Sequence, residues 1–395
     1  MNPDVKRIAI NLGSGYLPGL EWVVTGAALA ANRLGWEIVG IRDGYDGLLR
    51  PERYPDGGMV TLQPGIADTT GGGGSLGTGA RTDPFRVRTT NADNAVEEID
   101  RSADVLEALH AAGVGAVISV VGGSAVTGLH ALSVAFKLHR QGLHTVCVPK
   151  SVENEIASVP QALGYNSVLS HTTELLDGIR VGAQDIGRLA VVEVPGEHAG
   201  WLALQAGMAA LASAVLLPEI PYDLELVTNA LDDGEGTGRR PALVVVAQGA
   251  RPAGNAAAPD DTSGLRASLT PNADPDFGQG ERVIDRTGAA AESVALALQR
   301  TTGHDVLPLS LGHLVRGGVP TAVDRQLGLA YGAAAVRALQ TGDNGVMLSY
   351  QPPDITSVPL RETLNRIRTI PATSELIQTA RALGIAFGDS ETEEP

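Results

Sequence analysis

The sequence predicts an α/β protein of two lobes, in which parallel strands are covered by helices on both faces. Three observations lead there. The chain has 395 residues, enough for two lobes of ordinary size with substantial cores. Hydrophobic residues make up 43% and charged residues 19%, the balance of a globular protein. Short apolar runs alternate with Ala/Leu-rich helical stretches, and no hairpin signal is read between them. That is the pattern of βαβ units.

The elements follow in order. Arg7–Asn11 reads as a strand, then a Gly-rich turn, then a helix from about Trp22 to Leu34. Trp36–Ile41 is the next strand and Asp104–Ala112 a helix. Ala116–Val121 is a strand of apolar, mainly β-branched residues that ends at Gly122-Gly123, and Val126–Gln141 is helical. Thr145–Val148, Leu189–Val194 and Ala242–Ala247 are further buried-strand candidates. Two segments look irregular: the Gly-rich Thr69–Thr82, and Arg251–Gln279, whose weak apolar content suggests a mobile surface insertion. The acidic tail Gly388–Pro395 is expected to fray. No repeat period indicates a solenoid.

Charge narrows the function. The formal net charge is −16, which argues against nucleic acid and anionic membranes as partners, because phosphate backbones need a basic surface. No apolar run is long enough to cross a bilayer, and the start MNPDVKRIAI reads as a first strand rather than a signal peptide. The single cysteine, Cys147, lies in the apolar run HTVCV and reads as a buried core thiol, which fits a cytoplasmic setting. Lysines occur only at positions 6, 137 and 150. An acidic chain that binds a phosphorylated metabolite has to gather its cations at one place.

In parallel sheets ligands bind beyond the carboxyl ends of the strands, so four loops carry the candidates. Gly13–Gly19 follows the first strand and precedes a helix; its glycines let backbone amides approach an anion, although an ordinary βα turn reads equally well. Gly71–Arg86 puts Arg81 and Arg86 behind a Gly/Ser/Thr-rich stretch, a setting for phosphate contact by at least one of them. Pro149–Glu155 packs Lys150, Ser151, Glu153 and Glu155 at a strand's carboxyl end. A carboxylate there could take a proton from a sugar hydroxyl and its neighbour could hold a metal; the alternative is a capped helix start, with Ser151 as N-cap. In Leu311–Arg325, His313 and Arg316 at i, i+3 offer donors to a phosphate or hydroxyl, though a structural histidine is the simpler reading of His313 alone.

Taken together and in this order, the loops resemble those of the phosphofructokinase family, over nearly the whole chain. GIRDGYDGL (40–48) resembles the family's GIxxGYxGL, and LGTGARTDPFR resembles LGSAR or LGTSR with one extra residue. PKSVENE resembles PKTIDND, and GRLAVVEVPGEHAGWLAL resembles RxxVVEVMGRxxGxLAL. LGHLVRGGVPTAVDR resembles LGHxQRGGxPxAxDR and is the most specific match.

The resemblance implies two Rossmann-like, three-layer lobes. It places residues 1–150 with about 315–368 in a donor-phosphate lobe, and 151–314 with about 369–395 in a sugar-phosphate lobe. It also implies Mg²⁺ with ATP or pyrophosphate as donor, a phosphorylated small-molecule substrate, and a homodimer or homotetramer. Gly15, Arg81, Arg86 and the Gly122-Gly123-Ser124 loop match donor positions. Lys150 matches a lysine usual in pyrophosphate users, and Glu153 the general base. Glu155 is the partner carboxylate and candidate metal ligand. Ser151, Arg188, Glu197, Gln248, His313 and Arg316 fall at substrate positions, Arg188 reaching across a subunit boundary.

Several of these positions depart from the family pattern. Ser124 stands for the metal-binding aspartate, and Ala125 fits neither the ATP-type nor the pyrophosphate-type residue. Glu153 and Glu155 stand for aspartates, Glu197 and Leu307 for arginines, and Gln248 for a glutamate. The acceptor pocket has therefore lost positive charge, which predicts weak turnover of unmodified fructose 6-phosphate.

Overall fold

Continuous apolar runs leave a strand no polar face to turn to water, so they settle inside sheets that are covered on both sides. In the computed structural model, β1 (Arg7–Leu12), β2 (Glu37–Ile41), β3 (Met59–Thr61), β4 (Val87–Thr90), β5 (Val96–Ile99), β6 (Ala116–Gly122) and β7 (Thr145–Lys150) come first along the chain. They are followed by β8 (Leu189–Val194), β9 (Ala214–Leu216), β10 (Leu243–Ala247), β11 (Val306–Ser310), β12 (Val346–Gln351) and β13 (Asp354–Pro359). The structure describes residues 7–13, 15–63, 76–79, 83–90, 95–122, 131–236, 242–254, 288–303, 305–364 and 366–390. Much of Thr69–Thr82 and of Arg251–Gln279, and residues 391–395 of the tail, lie outside them.

The chain divides into two compact units, Met1–Val168 with Arg316–Arg368, and Leu169–Val315 with Thr369–Pro395. The first holds a seven-stranded sheet ordered β13-β12-β7-β6-β1-β2-β3. Its inner strands are parallel; β3 and β13 pair antiparallel at the two edges. Every residue of β6 and of β7 is buried, so helices cover both faces. On one side Ala9, Val39, Val117 and Tyr45 pack with Val105, Leu109, Val134 and Leu138. Helices Leu20–Arg33 and Ala322–Thr341 cross at backbone contact: a Cβ on Gly26 would stand 2.4 Å from Leu329 O, and one on Gly332 2.2 Å from Val23 O.

The second unit holds a four-stranded parallel sheet, β11-β8-β10-β9. Its core joins Val191, Val244 and Val246 to Val227 and Leu231 of helix Leu224–Gly236 and to Val294 and Leu298 of helix Ala289–Thr302. The architecture is thus α/β with mainly parallel sheets. No helix of the described residues is long and apolar enough to cross a membrane.

Two local expectations change, and a third is covered only in part. Hairpins do occur, as β4 with β5 and β12 with β13. Their strands are short or half-exposed, so the apolar alternation that would announce them is faint. The helix expected over Val126–Gln141 is described from Ala131 to Arg140; residues 126–130 lie outside the described set. β7 runs on through Pro149 and Lys150, so the lysine is the strand's last residue and not part of the following loop.

Candidate functional site

In the first unit the chain leaves β1 toward β2 on one side, while β6 lies on the other. This reversal of strand order is where open α/β sheets bind ligands. The loop after β1 is pinned on both sides: Gly13 N–H donates to Val120 O at 3.0 Å and Gly15 N–H to Thr78 O at 3.2 Å. Gly15 has φ 80°, the left-handed region that a glycine enters at no steric cost. Its carbonyl turns toward Lys150.

Lys150 is 1% exposed, and its Nζ donates to Gly15 O. Arg316 Nη1 reaches Tyr16 O at 3.4 Å and lies 3.7 Å from where a Gly15 Cβ would be. Burial, and secondly the Arg316 charge, push the Lys150 ammonium down from 10.5 to about 7. Gly122 ends β6 against Lys150, with no room for a Cβ, which would fall 2.5 Å from Lys150 O. Four expected residues, Gly15, Gly122, Lys150 and Arg316, therefore meet at one carboxyl edge. Arg316, expected among the sugar-phosphate ligands, keeps company here with the donor-side group. Two cations so close in a buried setting repel each other, and an anion beside them removes that penalty.

The loop after β7 is a polar turn and not a helix start; the next helix begins only at Tyr165. Ser151 Oγ accepts the amides of Glu153 and Asn154 at 3.0 and 2.9 Å and donates to the Glu155 carboxylate. It acts as the cap-like group expected of it, but on a turn. Asn154 sits at φ 56°; its side chain donates to Pro160 O and accepts from Ala162 N–H. Glu153 is half-buried, whereas Glu155 is buried. One helix end is tied in nearby: the Asp324 carboxylate accepts the amides of Gly164 and Ser167 and the Ser167 hydroxyl.

In the second unit, Glu197, Gln248 and His313 follow β8, β10 and β11, three neighbouring parallel strands. Gln248 N–H donates to Val194 O at 3.0 Å, Gly249 N–H to Gly196 O at 2.9 Å and Leu311 N–H to Glu193 O at 2.9 Å, which ties the three loop starts together. Glu197 and His313 are exposed and Gln248 is half-buried. Arg188 is not with them. It precedes β8 at the amino edge, with Nε 2.8 Å from Asp305 Oδ2. Glu193, inside β8, accepts the amides of Gly288, Ala290 and Ala291 at the start of helix Ala289–Thr302.

Arg86 pairs with Glu98 at 2.8 Å across the β4–β5 hairpin. Arg81, Gly123 and Ser124 lie outside the described residues. Among the described residues no three His, Cys, Asp or Glu side chains are grouped to hold a metal ion. Glu155, the candidate ligand, is engaged by Ser151 and lies beside Arg368. A Mg²⁺ ion held by one carboxylate, the donor phosphates and water needs no such cluster, and Glu155 is the described residue that could supply that carboxylate. The Lys150–Arg316 pair offers positive charge of its own.

Sequence reasoning places Asn154 between the two carboxylates of the turn without a role of its own, and misses Arg368, Asp324 and Glu193. Asn154 had a signal, a lone amide in a carboxylate-rich turn; the other three meet their partners only through the fold.

The phosphofructokinase sequence profile matches residues 7–339. An ATP-dependent 6-phosphofructokinase of Chloroflexus aggregans is 32% identical over 393 residues, covering 97% of this chain and 98% of that one. The pyrophosphate-dependent phosphofructokinase of Nitrosospira multiformis superposes with a TM-score of 0.69 at 18% identity, over 98% of this chain and 93% of that one. The phosphofructokinase of Pichia pastoris gives a TM-score of 0.68 at 24% identity over 96% of this chain, which spans only 37% of the yeast chain. At such identities the two structures speak for the fold alone. With the sequence match running nearly end to end, the chain belongs to the phosphofructokinase family, a family of phosphotransferases.

Proposed function

We propose that the chain moves a terminal phosphoryl group from ATP or pyrophosphate to a hydroxyl of a sugar phosphate or a related polyol. The observation that carries this reading is the buried Lys150 against Arg316 and Gly15 at the switch point of the sheet. Such a pair suits the charge that gathers on a phosphoryl group in transfer, where positioning and electrostatics do most of the work.

Glu153 is the general base in this reading. Its carboxylate accepts the acceptor's hydroxyl proton as that oxygen attacks the terminal phosphorus. The bond from phosphorus to the bridging oxygen breaks, and the departing ADP or phosphate keeps the electron pair. Lys150 and Arg316 hold the donor, and Gly15 gives the phosphates close backbone approach. Glu197, Gln248 and His313 are the acceptor-side groups. Arg188, far from them on its own chain, serves a neighbouring copy in a homodimer or homotetramer working in the cytoplasm. Arg81, Arg86, Gly123 and Ser124 complete the donor side by resemblance.

A second reading, a metabolite-sensing subunit, is favoured by one observation: Glu155, the expected metal carboxylate, is buried and engaged by Ser151 beside Arg368. A coupled assay separates the two. Fructose 6-phosphate and a panel of sugar phosphates are each offered with Mg²⁺ and either ATP or pyrophosphate. Turnover that Glu153→Gln lowers by about 10²–10⁴-fold, the span of a general base, supports the transferase. Sugar-phosphate binding by calorimetry, with no turnover for any pair, would overturn it in favour of the sensor.

A further inference from the structure

The loop after β7 is anchored from a distant part of the chain. Arg368 sends Nε and Nη2 to the carbonyl oxygen of Asn154, at 3.2 and 2.8 Å. Its own amide donates to Glu155 O at 2.7 Å. Ile156 and Ile367 pair beside it in an isolated antiparallel bridge. Burial lowers the Arg368 pKa, while Tyr165 and Glu155 next to it act in the opposite direction. The guanidinium is thus half-buried, charged, and forked onto a single carbonyl.

That carbonyl belongs to a residue in the left-handed backbone region, which Ser158 further along the same loop shares. Asn154 stands at φ 56°, a region that asparagine enters more readily than most residues with side chains, and the contacts around it hold it there. Glu153 lies between two fixed points. Before it, Ser151 Oγ holds the amides of Glu153 and Asn154. After it, Arg368 holds the carbonyls of Asn154 and Glu155. The direction of the Glu153 Cα–Cβ bond, from which its side chain starts, follows from the peptide planes that these contacts fix.

We propose that Arg368 is a positioning residue for Glu153, clamping the Asn154 carbonyl so that the carboxylate points at the acceptor hydroxyl. The proposal rests on the phosphotransfer reading for its catalytic part and on the hydrogen bonds alone for the clamp. A guanidinium suits the task because two of its N–H groups reach one oxygen in a plane while its charge stays beside Glu155. A lysine would supply a single, more mobile donor. Without the fork, Asn154 relaxes out of the left-handed region and Glu153 swings by about 1 Å, a displacement that costs on the order of 10²-fold in rate.

The test uses the intact protein with Arg368→Gln and Arg368→Lys, the lysine variant serving if the glutamine variant does not fold. Hydrogen exchange without substrate should show the amides of Glu153 and Asn154 exchanging about tenfold faster or more, as for a locally released turn. Amides of helix Ala322–Thr341 should be unchanged. In steady state kcat should fall about 10²-fold, while KM for the donor moves by less than about twofold. Methylguanidinium should restore part of the turnover of Arg368→Gln, and methylammonium should not. A residue that merely stabilises the fold would lower Tm and leave these readouts in place. Unchanged exchange at residues 153 and 154 overturns the clamp whatever the activity. Faster exchange with normal kcat overturns its role in positioning. A wild-type protein that turns over no donor–acceptor pair refutes the transfer reading instead, and exchange then decides the clamp alone.

Discussion

Lys150→Met should give a more stable protein that binds phosphate poorly. Lys150 is fully buried, and its ammonium is lowered from 10.5 to about 7 by burial first and by Arg316 second. At about 1.4 kcal/mol per pH unit, the charged form inside the fold is disfavoured by about 5 kcal/mol. That figure is net of the hydrogen bond from Nζ to Gly15 O, which favours the charged form. Below pH 7 the folded and unfolded chains both carry the proton, so the whole penalty weighs on the wild type. Methionine, of similar length and apolar, should gain up to about 5 kcal/mol there. Between about pH 7 and 10.5 the unfolded chain keeps a proton that the folded chain has released, so wild-type stability rises with pH. The advantage of Lys150→Met should fade across that window.

Urea denaturation of both proteins at pH 6, 7.5 and 9 measures this directly. A phosphate bound beside Lys150 restores its charge, so binding above pH 7 takes up a proton and weakens by up to about tenfold per pH unit. Calorimetry with ATP and with pyrophosphate, at pH 8 in buffers of different ionisation enthalpy, should find close to one proton taken up by the wild type. Lys150→Met should take up correspondingly fewer. A variant less stable than wild type at pH 6, or equal proton uptake in the two proteins, would refute the reasoning.

Other substitutions probe the scaffold. Gly332→Ala puts a methyl 2.2 Å from Val23 O, where backbone has to give way; a loss of about 2–3 kcal/mol is expected from denaturant unfolding. Glu193→Gln takes the charge from a buried carboxylate that receives three amides at a helix start. It should cost about 1–3 kcal/mol and be read as a lower denaturation midpoint.

The sheet interiors were legible because β1, β6, β7, β8 and β10 are mostly apolar runs with no steady alternation, and only strands covered on both faces can use such runs. Edge strands were not, since β3 has only three residues and β13, though six long, has no buried residue, and such stretches carry no usable period. Lys150 could be singled out as one of only three lysines, at the end of a strand. That Arg316 stands against it could not, because nothing local in LGHLVRGG says which loop its guanidinium meets. Ser151 was readable as a capping hydroxyl, but the partner of the cap, a turn with Asn154 in the left-handed region, depends on Arg368 far along the chain. Arg81 and Ser124 lie outside the described residues, and their assignment rests on the resemblance.

The local energetics bear on the choice between a transferase and a vestige. A lysine buried beside an arginine is a poor solution for stability at that point, where an apolar side chain of the same length would fold more tightly. The same holds, to a lesser degree, for the half-buried Arg368 guanidinium on the Asn154 carbonyl. Stability is given up in this way mainly where a site needs charge and fixed geometry in advance of its ligand. A surface that had lost all use for phosphate would gain by replacing each of these groups. Their grouping at the carboxyl edge of one parallel sheet, on loops after β1 and β7 and on the segments at Arg316 and Arg368, argues for anion binding still in use. The altered acceptor positions bear on which partner receives the phosphoryl group, and Ser124, donor-side by resemblance, bears on the metal; neither removes the Lys150–Arg316 pair.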